Sequence, residues 1–220
     1  MIEQFAKGFT FEHGGYGAPF MWAILVVSIF VFGIIIERFV FLVFKFNINA
    51  KAFFEQIQKY VMADKINDAI NTCNSAAAAA LPKVIKAGLT RANRQDYEIS
   101  QAIEEAQLAI IPTIQKRTDA LAGLSNIATL LGLLGTIVGM IEAFQALAVA
   151  DPEKQSVLLA RGISAAMWTT AYGLIVAIPG LTAHMILTSF TKKILDEIDQ
   201  YSVKLENLLV GRLKSGGNSN

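Results

Sequence analysis

Residues 130–144 read "LLGLLGTIVGMIEAF", a stretch apolar enough to cross a bilayer that nevertheless keeps glycine at 132, 135 and 139. Each glycine in a helix interior costs roughly 0.5–1 kcal/mol relative to alanine, so a helix carrying three needs something to offset them. Close approach of a neighbouring helix does so, because without a Cβ two backbones can meet. The stretch also holds one hydroxyl, Thr136, and a carboxylate, Glu142, near its end. These residues set two questions: what packs on the thin side, and what the hydroxyl serves.

The composition around it belongs to a membrane protein. Of 220 residues, 54% are hydrophobic and 17% charged, and mean hydropathy is +0.46. Soluble domains carry about 25% charged residues. Three segments are long and apolar enough to span: Gly14 to Ile36 and Ala120 to Ile141, free of Asp, Glu, Lys, Arg and His, and Gly162 to Thr191, which of these contains only His184. The first does not read as a cleaved leader, since Glu3 and Glu12 outweigh Lys7 and no small-residue cleavage site follows. Ile2, Phe5 and Phe9 share a face and suggest a short interfacial helix before it. Net charge is +1, without a basic footprint for nucleic acid. Cys73 is the one cysteine, read as an apolar filler, and no His/Cys cluster has metal-ligand spacing, so no metal or other cofactor is expected.

Basic residues orient the spans. Arg38, Lys45 and Lys51 follow the first, Lys116 and Arg117 precede the second, and Lys192 and Lys193 follow the third. The positive-inside rule places the N-terminus outside and the C-terminus inside. The resulting organisation is all-α: an outer N-terminal segment (1–18), transmembrane helix 1 (19–44), an inner helical domain (45–119), transmembrane helix 2 (120–146), an outer loop (147–157), transmembrane helix 3 (158–190), and an inner helix and tail (191–220). The inner domain holds 10 Lys/Arg against 8 Asp/Glu and shows helical periodicity through Phe53, Ile57, Tyr60 and Val61 and again through Ile99, Ile103, Ala106 and Ile110. Pro82 and Pro112 break or kink this run, and "NSAAAAALP" reads as a helix end and connector.

Small residues form a stripe on each of the last two spans. In the second, Ser125, Thr129, Gly132, Thr136, Gly139 and Ala143 are separated by alternating steps of 4 and 3; in the third, Ala166, Thr170, Gly173, Ala177, Gly180 and His184 repeat the pattern. The third stripe continues through Leu187, Thr191, Ile194, Ile198, Tyr201, Leu205 and Leu208. So long a seam implies supercoiling with neighbours, and a homo-oligomeric ring is its simplest reading. Gly132, Gly135, Gly139, Gly173, Ala177, Pro179 and Gly180 are assigned to helix packing and kinking. Trp22 and Trp168 read as interfacial anchors.

No carboxylate or amine lies between Asp119 and Glu142 or between Arg161 and Lys192. The spans therefore hold hydroxyls at mid-membrane and nothing there that titrates, so a proton path along them needs its protonatable group from another chain. Glu142 lies about 33 Å along the helix from Ala120 and fits equally a cation-attracting rim and a plain interfacial carboxylate. His184 fits a gate at the inner mouth or a side chain snorkelling to the interface. An enzyme is not expected, for no nucleophile–base pair or phosphate loop is present.

"LLGLLGTIVGMIEAF" followed by "GISAAMWTTAYGLIVAIPGL" closely resembles the paired signature of the MotA/TolQ/ExbB proton-channel family, strongly over about residues 120–190, and "IIIERFVFL" at 34–42 resembles the end of its first span. Length and three-span layout are similar to the ExbB/TolQ branch. The resemblance implies a bacterial inner-membrane protein, N-terminus periplasmic and C-terminus cytoplasmic. It implies a pentamer around a dimer of single-span ExbD/TolR-like partners whose transmembrane aspartate carries the proton, and it implies that Thr136 and Thr170 line the path, with Thr129 and Thr169 as secondary candidates. The chain departs from the branch at Ala165, where a glutamate is usual. The process powered stays open, as does proton against sodium, and a passive membrane scaffold is the alternative from another class.

Overall fold

Helix α1, Ala18–Val40, turns one narrow row of its apolar surface inward. Ala18, Met21, Ile24 and Val31 are buried, while Trp22, Ile29, Phe30 and Ile36 are exposed. The computed structural model describes residues 18–42, 48–149 and 151–217, with side chains to residue 213. The interfacial helix expected around Ile2, Phe5 and Phe9 lies outside the described residues, as does Lys45.

Among the described residues six further helices follow: α2 (Ala50–Met62), α3 (Ile66–Ser75), α4 (Ala80–Thr90), α5 (Asp96–Gln115), α6 (Thr118–Ala148) and α7 (Pro152–Gly217). Among the described residues there is no strand. Three helical stretches are long and apolar enough to cross a membrane, within Ala18–Val40, Asp96–Ala148 and Pro152–Leu213. Only 17%, 28% and 28% of their apolar windows is buried within the chain. Most of that apolar surface therefore meets lipid or other membrane helices, and the chain is a multi-pass membrane protein.

The chain divides into two compact units. The first joins Met1–Glu37 to Arg117–Ile186. Here α6 and α7 form an antiparallel hairpin whose contacts step along both helices. A Cβ on Gly162 would lie 2.3 Å from Ala143, one on Gly139 3.0 Å from Ala166, one on Gly173 2.6 Å from the Ala128 carbonyl oxygen, and one on Gly180 2.1 Å from Ser125 Oγ. These glycines are what lets the two backbones touch. Helix α1 packs on the pair, with Phe20 near Gly135 and Val31 near Gly180. Arg117 takes a left-handed φ of 65° immediately before α6 and pairs with Glu37 at the end of α1.

The second unit joins Arg38–Lys116 to Leu187–Asn220. Phe54, Ile57 and Val61 of α2, Val84, Ile85 and Leu89 of α4, and Ile99, Ile103 and Ile110 of α5 build its core with Leu187, Ile194, Ile198 and Leu205 of α7. The Phe54 and Tyr201 rings lie 5.0 Å apart, Gln107 Nε2 donates to Asp199 Oδ1 at 3.1 Å, and a Cβ on Gly88 would meet both Ile103 and Leu205 at 2.9 Å. Asn49 caps α2 by accepting from the Ala52 N–H, and Asp64, left-handed at φ 60° just past α2, pairs with Arg212.

Two sequence expectations change here. The α7 seam is not left open for other copies: Ala166, Gly173, Ala177 and Gly180 are buried in the first unit, and Leu187, Thr191, Ile194, Ile198, Tyr201 and Leu205 in the second. The chain's own α6, α4, α5 and α2 supply the partners that a three-span monomer seemed to lack. Of the breaks or kinks expected at Pro82 and Pro112, a break at Pro112 is not seen. Pro82 sits in the first turn of α4, where a missing N–H costs nothing, and both α5 and α7 continue through Pro112 and Pro179.

Candidate functional site

The buried row of α6 is Thr118, Leu121, Ser125, Ala128, Gly132, Gly135, Gly139 and Ala143. Thr129 and Thr136 are not in it. They lie one residue round from Ala128 and Gly135 and are half-buried, as Thr170 is beside the fully buried Thr169 on α7. The single stripe expected on α6 thus resolves into two parallel rows. One packs the hairpin, and the other carries hydroxyls along its open margin.

Where the margins meet, Thr136 Oγ1 and Thr170 Oγ1 are 2.9 Å apart. The closeness follows from the glycines, since Gly132 brings its backbone against Thr169, Thr170 and Gly173. Three hydroxyls converge on the Gly132 carbonyl: Thr170 donates at 2.9 Å, Thr169 at 3.2 Å and Thr136 at 3.3 Å. Thr136 also reaches the Leu133 carbonyl at 2.7 Å, and Thr169 the Ala166 carbonyl at 2.7 Å.

Each hydroxyl has one proton and two acceptor lone pairs, so these contacts compete. Thr169 is buried, and its proton is best spent on Ala166, which makes it a fixed part of the packing beneath Gly135. Thr170 chooses between the Gly132 carbonyl and Thr136 Oγ1 at equal distance. Thr136 chooses between backbone carbonyls and Thr170. With both protons on carbonyls, the pair offers only lone pairs outward. With either rotor turned out, it offers a donor. Two half-exposed oxygens can therefore serve an external acid or its conjugate base by rotation alone.

Thr129 bonds the Ser125 carbonyl at 3.3 Å and stands on the same margin, about two turns nearer the α6 N-terminus. His184 Nδ1 lies 2.9 Å from the Thr118 carbonyl oxygen. A carbonyl only accepts, so Nδ1 carries the proton of this bond. The contact ties α7 to the start of α6, which gives His184 a structural role whatever else it does. Glu142 is half-buried toward the other end of the hairpin, near the buried Ala143. Pro179 is exposed, and the helix passes through it. Among the described residues no group of His, Cys, Asp or Glu is placed to hold a metal ion.

The model of the MotA/TolQ/ExbB proton channel family matches residues 54–200, more than half of the chain and all of the α6–α7 crossing. Biopolymer transport protein exbB1 of Vibrio cholerae is 37% identical over 83 residues, 38% of this chain and 33% of its own length. An ExbB homolog of Methanothermobacter thermautotrophicus is 33% identical over 119 residues, 54% of this chain and 40% of its own. The Tol-Pal system protein TolQ of Haemophilus influenzae is 32% identical over 108 residues, 46% of each chain. The chain thus spans less than half the length of each of these relatives.

Proposed function

The chain belongs to the MotA/TolQ/ExbB proton channel family, and on that premise we propose that it is a proton-channel subunit of an energy-transducing motor in the cell envelope. In this reading five copies surround a dimer of ExbD/TolR-like partners, and the partner's transmembrane carboxyl group carries the ion. The observation that supports it most is the hydroxyl pair Thr136/Thr170, half-exposed and 2.9 Å apart where α6 and α7 cross.

The chemistry follows from the rotors. A carboxylate entering a dry site without a hydrogen-bond donor pays roughly 2–7 kcal/mol for each polar group left unsatisfied, and far more for its charge. Thr136 or Thr170 turned outward supplies a donor to the carboxylate. Turned onto the Leu133 and Gly132 carbonyls, the same oxygens accept from the protonated acid. The site thus accommodates both states and binds neither irreversibly, which is what a carrier group passing five equivalent stations requires. Chain orientation in this reading is N-terminus periplasmic and C-terminus cytoplasmic, from the basic residues flanking the spans.

Reconstitution tests the proposal. The chain is co-purified with a single-span ExbD/TolR-like protein and placed in liposomes under an imposed pH gradient. Proton flux that disappears when the partner's transmembrane aspartate is replaced by asparagine supports a channel subunit. A complex that assembles and conducts nothing makes this a scaffold.

A further inference from the structure

The charge-free part of α6, between Asp119 and Glu142, carries four polar side chains: Ser125, Asn126, Thr129 and Thr136. Three are satisfied by carbonyls of their own helix. Ser125 bonds Leu121 at 2.8 Å, Thr129 bonds Ser125 at 3.3 Å, and Thr136 bonds Leu133 at 2.7 Å. Such back-bonding is open to a hydroxyl in a helix. Asn126 is different. It is exposed, and its amide makes no hydrogen bond among the described residues. An amide has two donors and a carbonyl acceptor, more than one turn of its own helix can satisfy.

Its depth makes this costly. Asn126 is seven residues beyond Asp119, about 10 Å into the span. It is followed on the outer surface of α6 by Ile127, Leu130, Leu134 and Ile137, all exposed and apolar. In hydrocarbon an unsatisfied amide is expensive, and polar side chains there bond across to another helix. Asn126 lies three residues before Thr129 and ten before Thr136, spacings that keep all three toward one side of α6. A helix seated along that side can reach the threonines and the amide.

We infer that Asn126 is a further station of the ion path, nearer the α6 N-terminus, where the partner helix's carboxyl group, or water bound to it, is held on its way past Thr129 and Thr136. This rests on the channel reading above. An amide suits the role for the same reason as the hydroxyl pair: its N–H groups bond a carboxylate and its oxygen bonds the acid. It adds no charge of its own that would trap the carrier. A second copy of this chain is the less fitting occupant, because nothing on the large apolar surface beside Asn126 repeats its polarity.

The test compares Asn126→Leu and Asn126→Gln with wild type in full-length chain co-purified with its partner. Oligomer and partner content are read by native mass spectrometry and proton flux in liposomes. Asn126→Leu fills a similar space with a better helix former, so assembly is expected to be unchanged. Flux is expected to fall roughly tenfold or more, the rate equivalent of one hydrogen bond left unmade, with Asn126→Gln restoring most of it. Wild-type flux from Asn126→Leu overturns the inference while leaving the channel reading intact. A dispersed oligomer at normal partner affinity also overturns it, assigning the amide to contacts between copies. A wild-type complex that conducts nothing sinks the underlying reading instead.

Discussion

Replacing Gly173 by alanine tests the hairpin on which the site is built. The new Cβ would lie 2.6 Å from the Ala128 carbonyl oxygen, about 0.7 Å inside the roughly 3.3 Å at which a carbon and a carbonyl oxygen sit comfortably. A second contact, 3.1 Å to the Gly132 Cα, is also backbone, so no side-chain rotation relieves either. Overpacking of this kind costs typically 1–3 kcal/mol, and the upper end applies where two helix backbones must separate. Helix propensity returns about 1 kcal/mol for Gly→Ala. The net is a loss of about 2 kcal/mol, roughly thirtyfold in the folding equilibrium. Gly123 is the control on the same hairpin, because a Cβ there meets nothing within 4 Å, and its alanine variant is expected to be neutral or stabilising. Reversible unfolding in mixed micelles, followed by circular dichroism, gives both values. Gly173→Ala as stable as Gly123→Ala would refute the crossing at Gly132 and Gly173. Loss of the oligomer with the monomer fold intact would return the seam to contacts between copies.

Burial pushes the Cys73 thiol up to about 12, with Lys86 opposing the shift. The unfolded thiol loses its proton near 9.0 while the folded one keeps it, so the folded state binds more protons in that window and stability falls as pH rises from 9.0 toward 12. Pulsed maleimide labelling at pH 8 is expected to reach Cys73 only after unfolding, and the high-pH loss is expected to be smaller in Cys73→Ala; rapid labelling of the native protein would contradict the packing. In that cysteine-free background, Glu153→Cys should react with a membrane-impermeant reagent added to intact spheroplasts, and Glu104→Cys only after permeabilisation. The opposite pattern would invert the proposed topology.

Much of this architecture is legible in the sequence because the bilayer makes simple demands. Charge-free lengths mark the spans, and glycine spacing marks a close helix contact. What spacing does not distinguish is two rows one residue apart. Ser125, Thr129, Gly132 and Thr136 alternate by 4 and 3, and the buried row through Ala128 and Gly135 does so as well, so the hydroxyls read as part of the packing face. Only the structure turns Thr136 and Thr170 toward the open margin. Nor does periodicity name partners. Ile194, Ile198 and Leu205 announce a buried face on α7 without saying that α5, through Ile103 and Gln107, belongs to the same core. Asn126 stands in the charge-free length of α6, but periodicity does not tell that its amide makes no hydrogen bond among the described residues.

In the proposed channel the paired hydroxyls at the crossing carry the ion-dependent step. Valine keeps the branched shape of threonine and drops the hydroxyl, so Thr136→Val/Thr170→Val removes the two rotors with little change in packing. The decisive measurement is proton flux in liposomes from the double variant, co-purified with its partner and verified as an intact complex. Normal assembly is expected with flux reduced roughly thirtyfold or more, since the carrier loses about 2 kcal/mol or more of donor contact at the crossing. Undiminished flux from the intact double variant would contradict it and leave both threonines as packing residues.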